Sequence, residues 1–200
     1  MQLEGHSVYI RPGFKPQKNW AVFLDRDGVI NQEKHLLFKL KDWQVIPQAL
    51  QAIKKLNRAE TPVIVVHNAA VVARNLCQID QLEKLNQHMV KKLKQRGANI
   101  DAIFYCPHHR QAFNPRMVKD CPWRKPGTGM LTAAAKKFRL DLKKSFIIGD
   151  SARDILAGKN VGATTILVKT GHAGKDSLYQ ATPDKISQNI LTAVNWILSL

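Results

Sequence analysis

Trp20-Ala21-Val22-Phe23-Leu24-Asp25-Arg26-Asp27-Gly28 is the stretch on which the fold is decided. Five apolar residues without alternation describe a strand covered on both faces, as strands of parallel sheets are, and the run stops at an acid. The same form recurs at Val63-Ile64-Val65-Val66, Ile103-Phe104-Tyr105, Ser145-Phe146-Ile147-Ile148-Gly149 and Thr164 to Val168. Helix-period segments lie between them: Pro47 to about Glu60, Ile79 to Arg96 with Gly97 as its stop, Met130 to Phe138, and Ile186 to Leu198. Alternating strands and helices of this kind predict an α/β domain with a mainly parallel sheet.

Outside these elements, residues 1–19 read as a loose basic arm and residues 20–200 as a single domain. Residues 106–128 form a loop insertion rich in Pro, His and Arg; a loop of that length is usually functional or pinned by a metal. The 200 residues carry 31 Lys and Arg against 15 Asp and Glu, net +16, and residues 51–150 hold +12 of that excess. Such a balance favours an anionic partner, either a phosphorylated small molecule or nucleic acid. No apolar run approaches a membrane span, and three cysteines, Cys77, Cys106 and Cys121, suit a reducing compartment. The expectation is a cytoplasmic protein with no membrane partner, and a monomer.

In open α/β sheets ligands bind beyond the carboxyl ends of the strands. Strand one ends in Asp25-Arg26-Asp27-Gly28 and strand four in Gly149-Asp150-Ser151-Ala152-Arg153-Asp154, which brings Asp25, Asp27 and Asp150 to one rim. Carboxylates converging without a partner repel one another, and a hard divalent cation, Mg²⁺, relieves that repulsion. An aspartate beside Mg²⁺ can attack a phosphoryl group, and an acid two residues on can protonate the leaving oxygen and later activate water.

Phe23-Leu24-Asp25-Arg26-Asp27-Gly28-Val29-Ile30-Asn31, Arg124-Lys125-Pro126 and Ile147-Ile148-Gly149-Asp150 resemble the haloacid dehalogenase (HAD) superfamily of phosphohydrolases. Tyr105-Cys106-Pro107-His108-His109, Ala73-Arg74 and Gly129-Met130 narrow the resemblance to the branch of heptose-bisphosphate and histidinol-phosphate phosphatases. It covers about Trp20 to Thr170. It implies a Rossmann-like three-layer fold with a small cap or none, Asp25 as nucleophile and Asp27 as general acid/base. It also implies Lys125 as the cation joining nucleophile and phosphate, Mg²⁺ held by Asp25, Asp150 and the Asp27 carbonyl, and Arg124 as a substrate ligand, where a guanidinium fork suits a second phosphate.

The sequence departs from that branch in four places. Strand two should end in Thr-Asn-Gln-Ser-Gly but reads His67-Asn68-Ala69-Ala70-Val71, so Asn68 persists while His67 is either an altered phosphate ligand or filler. Val71 replaces a turn glycine, which argues against an intact loop because Val tolerates positive φ poorly. An Asp-His-Gly-Tyr-like substrate loop is here Glu33-Lys34-His35-Leu36, and Ser151 stands where a lysine often follows the acid. Zinc-binding members have Cys-x-His followed by Cys-x-Cys; here Cys106 and His108 are followed by Cys121-Pro122-Trp123, leaving three zinc ligands with His109 or water to complete the shell. The alternative is a loop held by Trp123 packing.

The favoured function is a Mg²⁺-dependent phosphatase acting on a small phosphorylated metabolite, with a heptose bisphosphate first. The alternatives are a catalytically weak relative that binds nucleic acid through its basic surface, and a nucleic-acid 3′-phosphatase.

Overall fold

The computed structural model describes residues 2–3, 6–175 and 179–200. Along β3 (Val22–Leu24), alternate side chains enter opposite layers: Val22 and Leu24 join one apolar core, Ala21 and Phe23 the other. That two-sided burial is why the run contains no polar residue. β4 (Val63–Asn68) and β6 (Phe146–Gly149) flank β3 in parallel, with Phe23 opposite both Ile64 and Ile147. β5 (Ala102–Cys106) lies outside β4; β7 (Thr164–Val168) and β8 (Lys185–Ser187) lie outside β6, all parallel. The chain thus builds outward on one side of β3, then crosses to the other side, so the carboxyl ends of β3 and β6 form a topological switch point where a ligand crevice opens.

Helices α1 (Pro47–Arg58), α3 (Ile79–Gln95) and α6 (Ile190–Ile197) cover one face through Ile53, Leu56, Leu82, Met89 and Val194. Helix α4 (Gly129–Phe138) covers the other through Met130, Leu131 and Phe138, with α5 (Ala152–Lys159) beside it through Ala157. The one-turn helix α2 (Ala70–Ala73) follows β4 directly. Among the described residues, no helix is long and apolar enough to cross a membrane.

Three features differ from the sequence reading. The leader is not a loose arm: β1 (Gln2–Leu3) pairs with β2 (His6–Ile10), and β2 adds antiparallel to β5 with Val8 opposite Phe104. The helix expected from Ile186 begins only at Ile190. Asn189 accepts a hydrogen bond from the Thr192 N–H at 3.1 Å and caps it there, while Lys185–Ser187 pairs with β7. Helix α5 has no sequence signal because its buried face is built from Ala152, Asp154, Ile155, Ala157 and Gly158, too small and too polar for an apolar stripe.

Candidate active site

Asp25 follows β3 directly. Its carboxylate accepts the Arg26 N–H at 2.8 Å and lies 2.9 Å from the Lys125 ammonium. Lys125 is buried, and its Nζ also donates to the Val66 carbonyl at 2.7 Å and lies 2.5 Å from Asp154 Oδ1, so the ammonium sits between two carboxylates and a carbonyl. Burial alone would lower the Lys125 pKa; Asp154 and Asp25 outweigh it and hold the group above its ordinary value. Asp154, fully buried in the first turn of α5, has its other oxygen 3.1 Å from Ser151 Oγ and 3.2 Å from the Ser151 N–H. This acid anchors the lysine, a role that nothing in the sequence marks.

Asp150 Oδ2 accepts the His172 N–H at 2.7 Å, whereas its buried Oδ1 has no hydrogen-bond partner among the described residues. Gly28 and Gly171, both at positive φ, press their backbones against this carboxylate, and a Cβ on either would collide with it. Burial, then Asp25 and Asp154, push the Asp150 pKa up to about 8; burial raises Asp25 to about 6 against the lowering pull of Lys125. An orphaned carboxylate oxygen close to a second carboxylate, all donors being oxygen, fits a hard divalent cation. Asp25 and Asp150 would hold it. Asp154 is committed to Lys125 and Ser151.

Asp27 borders the same crevice with its carboxylate turned to Arg26. The buried guanidinium grips it through Nε at 3.1 Å and a terminal nitrogen at 2.9 Å, and Asn31 donates to Oδ1 at 2.8 Å. Arg26 reaches on to Asn86 of α3 at 3.3 Å. Nothing in the sequence marks this arginine, because its partner on α3 is sixty residues away.

The two strand-two residues separate. Asn68 lines the crevice, but its side-chain amide closes a pair with the Lys125 backbone, accepting at 2.9 Å and donating at 3.0 Å. It positions the lysine. His67 is not in the crevice: strand alternation puts it with Val63 and Val65, beneath α3 and beside Tyr105 at 5.7 Å between ring centres. Burial, then Arg26 and Lys125, hold its pKa well below the ordinary value, and neither ring nitrogen has a well-formed hydrogen bond among the described residues. It is a neutral filler and no phosphate ligand. Val71 needs no positive φ, since it lies in α2. His35 and Leu36, where the glycine was lost, do adopt φ of 56° and 100°, so the loop keeps a backbone that glycine would accept more easily.

A cleft of about 370 Å³ opens over these acids. Arg124 lines it, its guanidinium donating to the His108 carbonyl at 3.1 Å, and Arg74, Arg153 and Lys175 line it as well. Arg153 supplies a cation two residues after Ser151, where the sequence had suggested that one was missing; a helix beginning at Ala152 turns that side chain toward the cleft.

Beyond β5, Cys106, His108 and Cys121 come together as expected, and His6 of β2 joins them, with one ligand atom from each of the four within 4.8 Å of the others. His109 is not among them. Its Nδ1 accepts the Gln111 N–H at 3.0 Å and it faces the cleft. All three cysteines are free thiols, and Cys77 is a core residue as expected. Burial and the neighbouring Cys121 push the Cys106 pKa up to about 12.

A parallel sheet with an aspartate after its central strand, a lysine salt-bridged to it and a second acid after the adjacent strand defines the HAD-like hydrolases. A HAD-hydrolase-like family profile matches residues 122–193. A D-glycero-alpha-D-manno-heptose-1,7-bisphosphate 7-phosphatase of Photorhabdus laumondii is 37% identical over 173 residues, 86% of this chain and 93% of the relative. A D-glycero-D-manno-heptose-1,7-bisphosphate 7-phosphatase of Thermosynechococcus vestitus is 39% identical over 186 residues, 88% and 94% of the two chains. The crystal structure of the D,D-heptose 1,7-bisphosphate phosphatase of B. bronchiseptica, complexed with magnesium and phosphate, superposes with a TM-score of 0.80 at 31% identity, covering 90% of this chain and 98% of that one. The chain belongs to the heptose-1,7-bisphosphate 7-phosphatase family of HAD-like phosphatases.

Proposed function

We propose that this protein removes the 7-phosphate of D-glycero-D-manno-heptose 1,7-bisphosphate in a Mg²⁺-dependent reaction through an aspartyl phosphate on Asp25. The carrying observation is Lys125, buried between Asp25 and Asp154, with Asp150, whose Oδ1 has no hydrogen-bond partner among the described residues, grouped with the same two acids. Bound Mg²⁺ would neutralise the repulsion between the Asp25 carboxylate and the phosphoryl oxygens. Asp25 attacks phosphorus, the bond to the sugar oxygen breaks, and Asp27 gives that oxygen a proton. Water then attacks the aspartyl phosphate while Asp27 takes its proton, which frees inorganic phosphate and restores Asp25. Lys125 orients Asp25 and offsets charge on the transferring group throughout.

Arg74, Arg124, Arg153 and Lys175 exceed what one phosphoryl group needs, which supports a doubly phosphorylated substrate whose second phosphate binds at the mouth of the cleft. We assign zinc to the loop after β5, on Cys106, His108 and Cys121. Three free thiols suit a reducing compartment, and we place the reaction in the cytoplasm.

Phosphate release measured with Mg²⁺ on the heptose bisphosphate, its monophosphates, histidinol phosphate and 3′-phosphorylated oligonucleotides tests this reading, with Asp25→Asn as control. The bisphosphate is expected to exceed the others in kcat/KM by at least about tenfold, the worth of one charge-assisted contact. Faster turnover of histidinol phosphate or an oligonucleotide would overturn the assignment.

A further inference from the structure

We propose that His6, on the N-terminal strand β2, is the fourth protein ligand of a zinc ion held by Cys106, His108 and Cys121. The proposal rests on the zinc reading above and adds a residue that lies a hundred positions from the other three. Its placement follows from the sheet. In the antiparallel register Ile10 faces Ala102 and Val8 faces Phe104, and two residues further along that register His6 comes opposite Cys106. Strand alternation sends Val8, Phe104 and Cys106 into the same core, and the buried His6 ring follows them.

Two of the separations fall in the range of a tetrahedral shell. Zn–N bonds of about 2.0–2.1 Å and Zn–S bonds of about 2.3 Å put neighbouring ligands about 3.3–3.8 Å apart. His6 Nε2 lies 3.3 Å from Cys121 Sγ, and Cys106 Sγ lies 3.8 Å from His108 Nδ1. Trp123 occupies the position of the second cysteine in a Cys-x-Cys pair and is fully buried. Its ring stacks on His6 with centres 4.0 Å apart and planes 3° from parallel, so the residue that replaced a ligand now fixes the imidazole edge that points at Cys121. A Cys₂His₂ shell results, and the metal would tie the N-terminal strand β2 to the loop that carries Arg124 and Lys125.

Metal content of the full-length protein and Co²⁺ titration of its metal-free form test the assignment in the wild type, His6→Ala, His6→Cys and Cys121→Ser. The wild type should carry one zinc per chain and give a tetrahedral Co²⁺ spectrum. His6→Ala should bind Co²⁺ at least about tenfold more weakly, since even residues supporting a ligand are worth that much. His6→Cys should restore binding and strengthen the sulfur-to-cobalt band. A His6→Ala protein with wild-type affinity and spectrum overturns the His6 assignment while the zinc reading stands. A wild type that binds neither metal overturns both. Should His6→Ala fail to fold, a His6→Cys spectrum identical to wild type overturns the assignment by itself.

Discussion

Two largely buried polar centres stand out in this protein, one of carboxylates and a lysine at the floor of the cleft, the other of thiols and imidazoles at the end of β5. The first is largely self-compensating: Lys125 answers Asp25 and Asp154 together, while Asp150 Oδ1 has no cation beside it in an ion pair among the described residues. The second holds donors of one kind, with two sulfurs and two imidazoles facing one another and no opposite charge among them. A centre of mixed charge keeps its geometry through its own ion pairs, whereas a centre of like donors keeps its geometry through the surrounding fold and is completed by a cation. The first can therefore be dismantled one side chain at a time, and the second is sensitive to the packing of strand β2, which supplies His6.

Removing one charge from the self-compensated centre gives the largest effect. Asp154→Asn leaves Lys125 with a single carboxylate, and breaking a buried pair of this kind costs about 3–5 kcal/mol of stability. With Asp25 less well oriented, kcat should fall by about 10²-fold or more in steady-state phosphate release. A variant with wild-type kcat would show that Asp25 alone holds the lysine.

The next effect is pH-dependent. Asp25 at about 6 and Asp150 at about 8 lie above the carboxylate range of an unfolded chain, so in the metal-free protein these groups bind more protons folded than unfolded. Their contribution is therefore stabilising on the acid side and is lost as pH rises from about 4 to 8. Mg²⁺, which needs both carboxylates ionised, should raise the melting temperature more at pH 8.5 than at pH 5.5. An equal gain at both would break the link between Asp150 and the ion.

Arg153→Ala tests the mouth of the cleft. It should raise KM for the bisphosphate by about tenfold, the size of one charge-assisted hydrogen bond, and leave KM for the heptose 7-monophosphate, which lacks the second phosphate, and kcat nearly unchanged. The smallest effect concerns His67. Replacing an imidazole whose nitrogens have no well-formed hydrogen bond among the described residues by Leu should add about 1 kcal/mol of stability in chemical denaturation and leave turnover intact. A large loss of kcat would return His67 to the reaction.

The strands were legible because two-sided burial leaves an unmistakable apolar run, and the acids were legible because they end those runs. Asp25, Lys125 and Asp150 lie where the sequence placed them. What escaped depends on pairing between distant segments: Arg26 with Asn86, Asp154 with Lys125, and His6 with the β5 loop. His67 was readable in principle, since counting by twos from Val63 sends it away from the cleft and Asn68 toward it. Arg153 needed the phase of α5, a helix too short and too small-sided to announce itself.

The pairing of β2 with β5 also sets an order of events during folding. Val8 waits for Phe104, so β2 docks on the sheet only once β5, far along the chain, has been made. Until β2 docks, β5, buried along its whole length in the finished protein, is an open sheet edge. An intermediate of that form pairs readily with its own copies, so yield on refolding should fall with protein concentration more steeply than the stability of the native state would suggest.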